Sequence, residues 1–264
     1  RRRLWEKIEI LKQHPEIKFI EFGTRRRFSF DWQEEVVATL KSELPGNLIG
    51  TSNVHLAEKY DLKPIGTMAH EVHMVASALM HKAVEEGVFE TYEEAMKASV
   101  GIMSDLWEEM YKDQYLIALP DTYGTDFFLE NFGEERARRW AGMRQDSGDP
   151  FEFGEKIIKY YESLGINPGE KTIVFSDGLD IETILAIQAR FGQRVKVVFG
   201  WGTNLTNDLG LKALKIVMKP VSADSWDLVK LSDNIAKATG KPKEVEKFKR
   251  VVGYDGEYNQ PVNY

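Results

Sequence analysis

Short apolar runs that alternate with longer helical patterns are the feature that most limits what this chain can fold into. The runs fall at 17–22, 48–51, 64–67, 115–119, 140–144, 172–176, 195–200 and 214–219. Most are continuous and flanked by Gly, Pro or Asp, which reads as strands buried on both faces and hence a parallel sheet. Val195-Lys196-Val197-Val198-Phe199 is the clearest case. Helical spacing lies between the runs, at 31–44, 68–86, 91–111, 150–164 and 179–191, and the first residues also run into a helical pattern. Asp31 is placed to cap the first of these five, and Thr91-Tyr92-Glu93-Glu94 has the form of a capping box. The alternation predicts an α/β fold, an irregular (β/α) barrel, with an open doubly wound sheet as the alternative. Residues 1–240 read as the barrel domain, and 241–264 as a polar tail outside it.

Composition narrows the function classes. With 264 residues, 42% hydrophobic and 29% charged, the chain can bury a large core without staples. It has no cysteine, which excludes a disulfide frame, a thiolate zinc site and a thiol nucleophile, and agrees with a cytoplasmic setting. The net charge of −7 argues against a sequence-independent nucleic-acid binder but permits a local cationic pocket. No apolar run reaches membrane-spanning length, so no membrane partner is expected. The chain opens Arg1-Arg2-Arg3 without Met, and is expected to be part of a longer protein.

The residues that follow the runs carry the chemistry. In a (β/α) barrel the catalytic groups sit at the C-terminal ends of the strands. Those ends read Gly23-Thr24-Arg25-Arg26-Arg27, Thr51-Ser52-Asn53, Thr67-Met68-Ala69-His70-Glu71, Pro120-Asp121-Thr122, Arg144-Gln145-Asp146-Ser147-Gly148-Asp149, Ser176-Asp177-Gly178 and Gly200-Trp201-Gly202-Thr203-Asn204. Turn chemistry alone favours Gly, Asp and Ser at such places, but their recurrence at one end of the strands favours a site. The arginine triplet is either a solvated run or an anion clamp, and at most two of the three can point one way along extended chain. Ser176-Asp177-Gly178 and Gly200–Thr203 are either plain turns or phosphate cradles. Asp146, Asp149 and Asp177 are candidate Mg²⁺ ligands, with helix capping the better reading of Asp149 and a paired-carboxylate glycosidase as rival. His70 is a structural histidine, a metal ligand with His73, or a covalent nucleophile, and residue types do not choose among these. His55 and His81 read as ordinary helix residues.

Taken together, FGTRRR (22–27), GTSNV (50–54), GTMAHE (66–71), LPDTYGT (119–125), MRQDSGDP (143–150), FSDGLD (175–180) and FGWGTN (199–204) resemble the nicotinate phosphoribosyltransferase family in content and order. The resemblance implies a type II phosphoribosyltransferase barrel, with the N-terminal domain of that fold absent here. It implies that nicotinate and phosphoribosyl pyrophosphate form nicotinate mononucleotide and pyrophosphate on a salvage route to NAD. It further implies ATP as co-substrate, Mg²⁺ as cofactor, and it admits a homodimer. By the same resemblance His70 is the histidine phosphorylated by ATP, and Arg25 flanks the pyridine ring. Arg144 and Asp146 contact substrates, Asp146 and Asp177 serve the metal, Ser176, Asp177 and Gly178 bind ribose and phosphate, and Gly200, Gly202 and Thr203 cradle the 5′-phosphate. Related nicotinamide-using enzymes place an aspartate where this chain has Ser52. Ser52 and Asn53 can donate hydrogen bonds to a carboxylate, which favours the acid over the amide. Rival readings are a nicotinamide or quinolinate phosphoribosyltransferase, a ligand-binding barrel without turnover, and an unrelated barrel hydrolase using Asp146 and Asp177.

Overall fold

A computed structural model describes residues 1–214 and 216–260. In chain order the elements are α1 (Arg2–Leu11), β1 (Phe19–Glu21), α2 (Phe30–Glu43), β2 (Leu48–Thr51), α3 (Val54–Lys59), α4 (His70–Glu85), α5 (Tyr92–Tyr111) and β3 (Ile117–Ala118). They continue with α6 (Thr125–Phe132), α7 (Glu134–Arg139), β4 (Gly142–Gln145), α8 (Pro150–Ser163), β5 (Thr172–Phe175), α9 (Ile181–Phe191) and β6 (Lys196–Trp201). Last come α10 (Thr203–Thr206), β7 (Ser222–Ala223), β8 (Trp226–Asp227) and α11 (Pro242–Val251). The chain divides into two compact units: Arg1–Gly66 with the described part of Pro168–Val217, and Thr67–Asn167 with the described chain from Met218 onward.

The first unit is built on parallel strands in the order β2-β1-β6-β5. Its core explains the continuous apolar runs. Phe19, Ile173, Phe175, Phe199 and Trp201 are fully buried, and Val36, Val37, Ile184, Ile187 and Phe191 come to them from α2 and α9. Phe19 meets Trp201 edge-on at 5.8 Å, and Phe175 stacks on Phe191 at 5.8 Å, geometries that suit the ring quadrupoles. In register, Glu21 stands opposite Thr51 on one side and Trp201 on the other, so the C-terminal ends of three strands are level. That register positions the loops discussed below.

The second unit pairs β3 with β4 in parallel, Ile117 against Gly142 and Ala118 against Met143. α4 packs along α5, whose N-cap Thr91 accepts from Glu94 N at 3.2 Å, as the capping box predicts. β7 and β8 form an antiparallel hairpin. Its turn residues Asp224 and Ser225 both have positive φ, 47° and 69°, the backbone of a tight hairpin turn. The hairpin lays Ala223 and Trp226 against Met74, Ala78 and Leu228.

Several expectations need correction. The run at 64–67 makes only an isolated bridge, Thr51 with Pro64, because proline has no N–H to extend a ladder. The run at 214–219 contains no strand among its described residues, and residue 215 lies outside them. Leu214, Ile216, Val217 and Met218 are exposed there, and apolar β-type residues form a strand only where a pleated partner receives them. The cap of α2 is Ser29, not Asp31: Ser29 has extended backbone and its hydroxyl accepts from Trp32 N at 3.0 Å. Apart from these corrections, α11 lies in the stretch expected as a tail outside the barrel, 241–264, and buries Phe248 against Tyr92 and Tyr123, at ring separations of 6.0 and 5.5 Å. Residues 261–264 lie outside the described residues. Among the described residues no helix is long and apolar enough to cross a membrane.

Candidate active site

In the first unit the level strand ends gather four loops. After β1 the chain turns through Gly23 into a short 3-10 turn, Thr24–Arg26. Gly23 is required there: a Cβ would lie 2.0 Å from Thr206 Oγ1. The three arginines go to different environments. Arg25 is exposed and Arg26 is buried. Arg27 donates to Gln33 Oε1 at 2.9 Å and lies 5.3 Å from the Phe30 ring centroid. After β2, Ser52 N–H donates to the Glu21 carbonyl at 2.8 Å and Ser52 Oγ stands 3.3 Å from Thr24 Oγ1. Asn53 caps α3, with Oδ1 accepting from Leu56 N at 3.2 Å while Nδ2 donates to Gln33 Oε1 at 3.0 Å.

After β5, Ser176-Asp177-Gly178 forms a turn in which Gly178 has φ +60°. It does not open the next helix; Asp180 caps α9, accepting from Thr183 N at 2.8 Å. After β6, Gly200 is wedged where a Cβ would meet Phe22 at 2.7 Å and Ser176 Cβ at 2.9 Å. The backbone at 200 therefore lies directly against the Ser176 turn. Trp201 Nε1 and Asn204 Nδ2 both donate to the Leu179 carbonyl, at 3.1 and 2.9 Å, tying the two loops together. Gly202 and Thr203 lead into the single turn α10.

The second unit brings His70, Arg144 and Asp146 into direct contact. His70 begins α4 and is buried. Its Nε2 is 2.9 Å from Asp146 Oδ2 and its Nδ1 is 3.0 Å from Thr122 Oγ1. Arg144 pairs with Asp146 Oδ1 and donates to Thr67 Oγ1 at 2.6 Å. Burial acts to raise the Asp146 carboxyl, but Arg144 and the His70 hydrogen bond outweigh it and hold it well below the usual carboxylate range. Burial pushes His70 down, against the pull of Asp121 and Asp146. Arg144 is the largest of the influences that keep the Asp146 carboxylate ionised, ahead of His70 and Lys230. An ionised carboxylate only accepts, so Nε2 carries the ring proton and the Nδ1 lone pair accepts from Thr122.

Asp121, Thr122 and Lys230 complete this centre and were not assigned from the sequence. Asp121 is buried, with Oδ1 3.8 Å from His70 Nδ1 and no hydrogen-bond partner among the described residues. Its Oδ2 accepts from Ser147 Oγ at 2.5 Å and Ser232 Oγ at 3.1 Å, with Lys230 Nζ at 3.9 Å. Asp121 and Thr122 stand in a quoted motif, so position gave a signal. Lys230 gave only a polar break in the apolar stretch 228–231. His73 is fully buried at 5.9 Å from the Phe128 ring, and burial lowers it to about 4. The metal-type group among the described residues is His70, Asp121 and Asp146, not a His70–His73 pair. Imidazole plus two carboxylates, with a guanidinium on one of them, is not a magnesium cage, because Mg²⁺ takes oxygen ligands and keeps its waters. Asp146 suits Mg²⁺ only as an acceptor for metal-bound water. Asp149 caps α8, accepting from Phe151 N at 2.8 Å and Glu152 N at 3.0 Å, as its position before Pro150 predicts.

The model of the nicotinate phosphoribosyltransferase (NAPRTase) family matches residues 17–255. Among solved structures, the chain is similar to nicotinate phosphoribosyltransferase from Porphyromonas gingivalis, with 36% identity and a TM-score of 0.84 over 95% of this chain and 62% of that one. It is also similar to the nicotinate phosphoribosyltransferase from Vibrio cholerae, with 36% identity and a TM-score of 0.84 over 98% of this chain and 60% of that one. A protein described as a nicotinate phosphoribosyltransferase from Saccharomyces cerevisiae follows at 32% identity and a TM-score of 0.77, over 94% of this chain and 62% of that one. The chain thus spans about three fifths of the length of these relatives, and shares with them the α/β fold expected from its strand pattern. Motif order, strand-end loops and these likenesses agree, and the chain belongs to the nicotinate phosphoribosyltransferase family.

Proposed function

We propose that the protein joins nicotinate to phosphoribosyl pyrophosphate, giving nicotinate mononucleotide and pyrophosphate, with ATP hydrolysis coupled through His70. The observation that carries this reading is the His70 ring held between Asp146 and Thr122 in a chain of this family. The pyridine nitrogen forms the bond to C1 of the ribose as the bond from C1 to the pyrophosphate oxygen breaks, and pyrophosphate leaves with the electron pair. The ring nitrogen is already unprotonated, so the protein supplies position and electrostatics rather than a strong base. Arg25 flanks the ring and Ser52 meets the carboxylate. Asn53 lies beside it, its Oδ1 capping α3. Ser176, Asp177 and Gly178 serve the ribose and its phosphates, and Gly200, Gly202 and Thr203 the 5′-phosphate.

In the coupled step His70 Nδ1 attacks the terminal phosphorus of ATP, ADP leaves, and water later takes the phosphoryl group from the ring. Asp146 keeps the proton on Nε2 throughout, which leaves Nδ1 as the nucleophile. Mg²⁺, when bound, neutralises the departing pyrophosphate; Asp146 and Asp177 are the residues that would hold it, Asp146 through water. A cytoplasmic setting and a homodimer belong to the same reading. The test is nicotinate mononucleotide formation with and without ATP, in the wild type and in His70→Ala. The variant is expected to keep ATP-independent transfer and lose stimulation by ATP. Equal stimulation in both proteins would remove His70 from the coupling, and no product from the wild type would overturn the reaction itself.

A further inference from the structure

The reading above leaves two buried residues of the first unit without a role, Glu21 and Gln33. Both are completely buried. Glu21 accepts from Gly23 N at 2.5 Å, Thr51 Oγ1 at 2.6 Å, and Gln33 Nε2 at 3.0 Å to each carboxylate oxygen. A carboxylate surrounded by donors fixes which end of the Gln33 amide faces it. The other end confirms the choice, since Gln33 Oε1 accepts from Arg27 Nη1 at 2.9 Å and Asn53 Nδ2 at 3.0 Å. A flipped amide would set donors against donors on one side and oxygen against a carboxylate on the other.

The amide nitrogen has two hydrogens. One is taken by Glu21, and the second reaches Thr24 Oγ1 at 2.8 Å. Gln33 Nε2 cannot accept, so at this contact the Thr24 oxygen accepts and its own hydrogen remains to be given. Ser52 Oγ lies 3.3 Å away; either hydroxyl could donate across that distance, but only a bond from Thr24 to Ser52 gives the Thr24 hydrogen an acceptor among the described residues. Ser52 then accepts from Thr24 and keeps its own hydrogen for a group outside the network.

We infer that Glu21, Gln33 and Thr24 form a relay of hydrogen-bond direction that makes Ser52 a donor to the bound ring substituent, and so selects a carboxylate over a carboxamide. The inference rests on the nicotinate reading. Glu21 and Gln33 act through Thr24 and Ser52 and are positioning residues. A carboxylate accepts a charge-assisted bond from Ser52, whereas a carboxamide accepts a weaker one and finds no acceptor there for its N–H₂.

The experiment uses the full-length protein with Thr24→Val, Thr24→Ser and Glu21→Gln. Calorimetric binding of nicotinate and nicotinamide is measured beside kcat and KM. Thr24→Val keeps the volume and removes the hydroxyl link; it is expected to weaken nicotinate binding about 10-fold and raise KM alike with kcat little changed, while nicotinamide binding stays level. Thr24→Ser restores the preference. Glu21→Gln can keep its oxygen toward Gly23 N and Gln33 Nε2 and turn its N–H₂ to Thr51 Oγ1, so it leaves the Gln33 amide as it is and is expected to keep the preference, as Thr24→Ser does; should it fail to fold, the Thr24 pair decides alone. An unchanged nicotinate-to-nicotinamide ratio in Thr24→Val overturns the relay, as does an equal loss in Thr24→Ser. Wild-type protein that neither binds nicotinate nor makes product overturns the functional reading instead, and the relay with it.

Discussion

The two units solve the problem of burying polar groups in opposite ways. Around Glu21 the first unit uses hydroxyls, amides, one carboxylate and the Arg27 guanidinium, joined by direct hydrogen bonds of 2.5–3.3 Å. Around His70 the second unit uses charge: two carboxylates, a guanidinium, a lysine and an imidazole, with one oxygen of Asp121 left without a partner. A network of direct hydrogen bonds around one buried carboxylate is rigid and directional, which suits recognition. A charged centre that is nearly but not fully balanced can change its proton and phosphoryl content, which suits a reacting group. Under the proposed function, the contrast divides one family motif set into residues that read the substrate and residues that change state.

The largest effect expected is at the charged centre. Asp146→Asn removes the negative charge opposite Arg144 and leaves one accepting oxygen for two donors, His70 Nε2 and the Arg144 guanidinium. It should lower kcat about 10²- to 10³-fold with the melting temperature nearly kept, a magnitude typical of one preorganised electrostatic contact. A loss of less than about 10-fold would mean that the centre does not depend on charge in the way described.

In the recognition network the corresponding break is steric. Gly23→Ala drives a methyl into Thr206 Oγ1, and overpacking of this kind costs about 1–3 kcal/mol. Urea unfolding should show that loss together with weaker nicotinate binding. Stability unchanged within error would show that the loop yields freely and the network is not rigid.

A third test concerns charge alone. Burial, with Asp121 nearby, pushes the Asp233 carboxyl up to about 6, while Thr125 N and Oγ1 donate to it at 2.7 and 2.6 Å. A raised folded-state value favours the protonated form. Its contribution to stability is therefore full below about pH 4 and is lost as pH rises through about 6. Asp233→Asn removes the slope, and should gain on the order of 2 kcal/mol over the wild type at pH 8 relative to pH 4. The same difference between the two proteins at both pH values would contradict the assignment.

The smallest effect expected is at Asp149. Its side chain caps α8, so Asp149→Ala should cost about 1 kcal/mol of stability and leave the nicotinate KM unchanged. A large change in KM with stability intact would return Asp149 to the site from which its capping bonds remove it.

Much of the architecture was legible because continuous apolar runs have few uses other than doubly buried strands. Residues 48–51 and 172–175 are strands where expected, and 91–111 is helical from its capping box onward. The two misread strand runs share one cause. The runs at 64–67 and 214–219 have strand-like composition, but a strand also needs an adjacent backbone, and no local pattern reports its neighbours. The cap of α2 went to Ser29 because backbone geometry two residues before Asp31 had already turned extended.

The sequence by itself determined the family and the order of the loops, and marked His70, Arg144 and Asp146 as candidates, because these are properties of residue type and spacing. Only the tertiary structure decided which arginine of the triplet is held by Gln33, that Asp121 and Lys230 stand beside His70, and that Gln33 donates to Thr24 within reach of Ser52. Those facts depend on distances across tens of residues and on which lone pairs and hydrogens remain after burial, and a linear string carries neither.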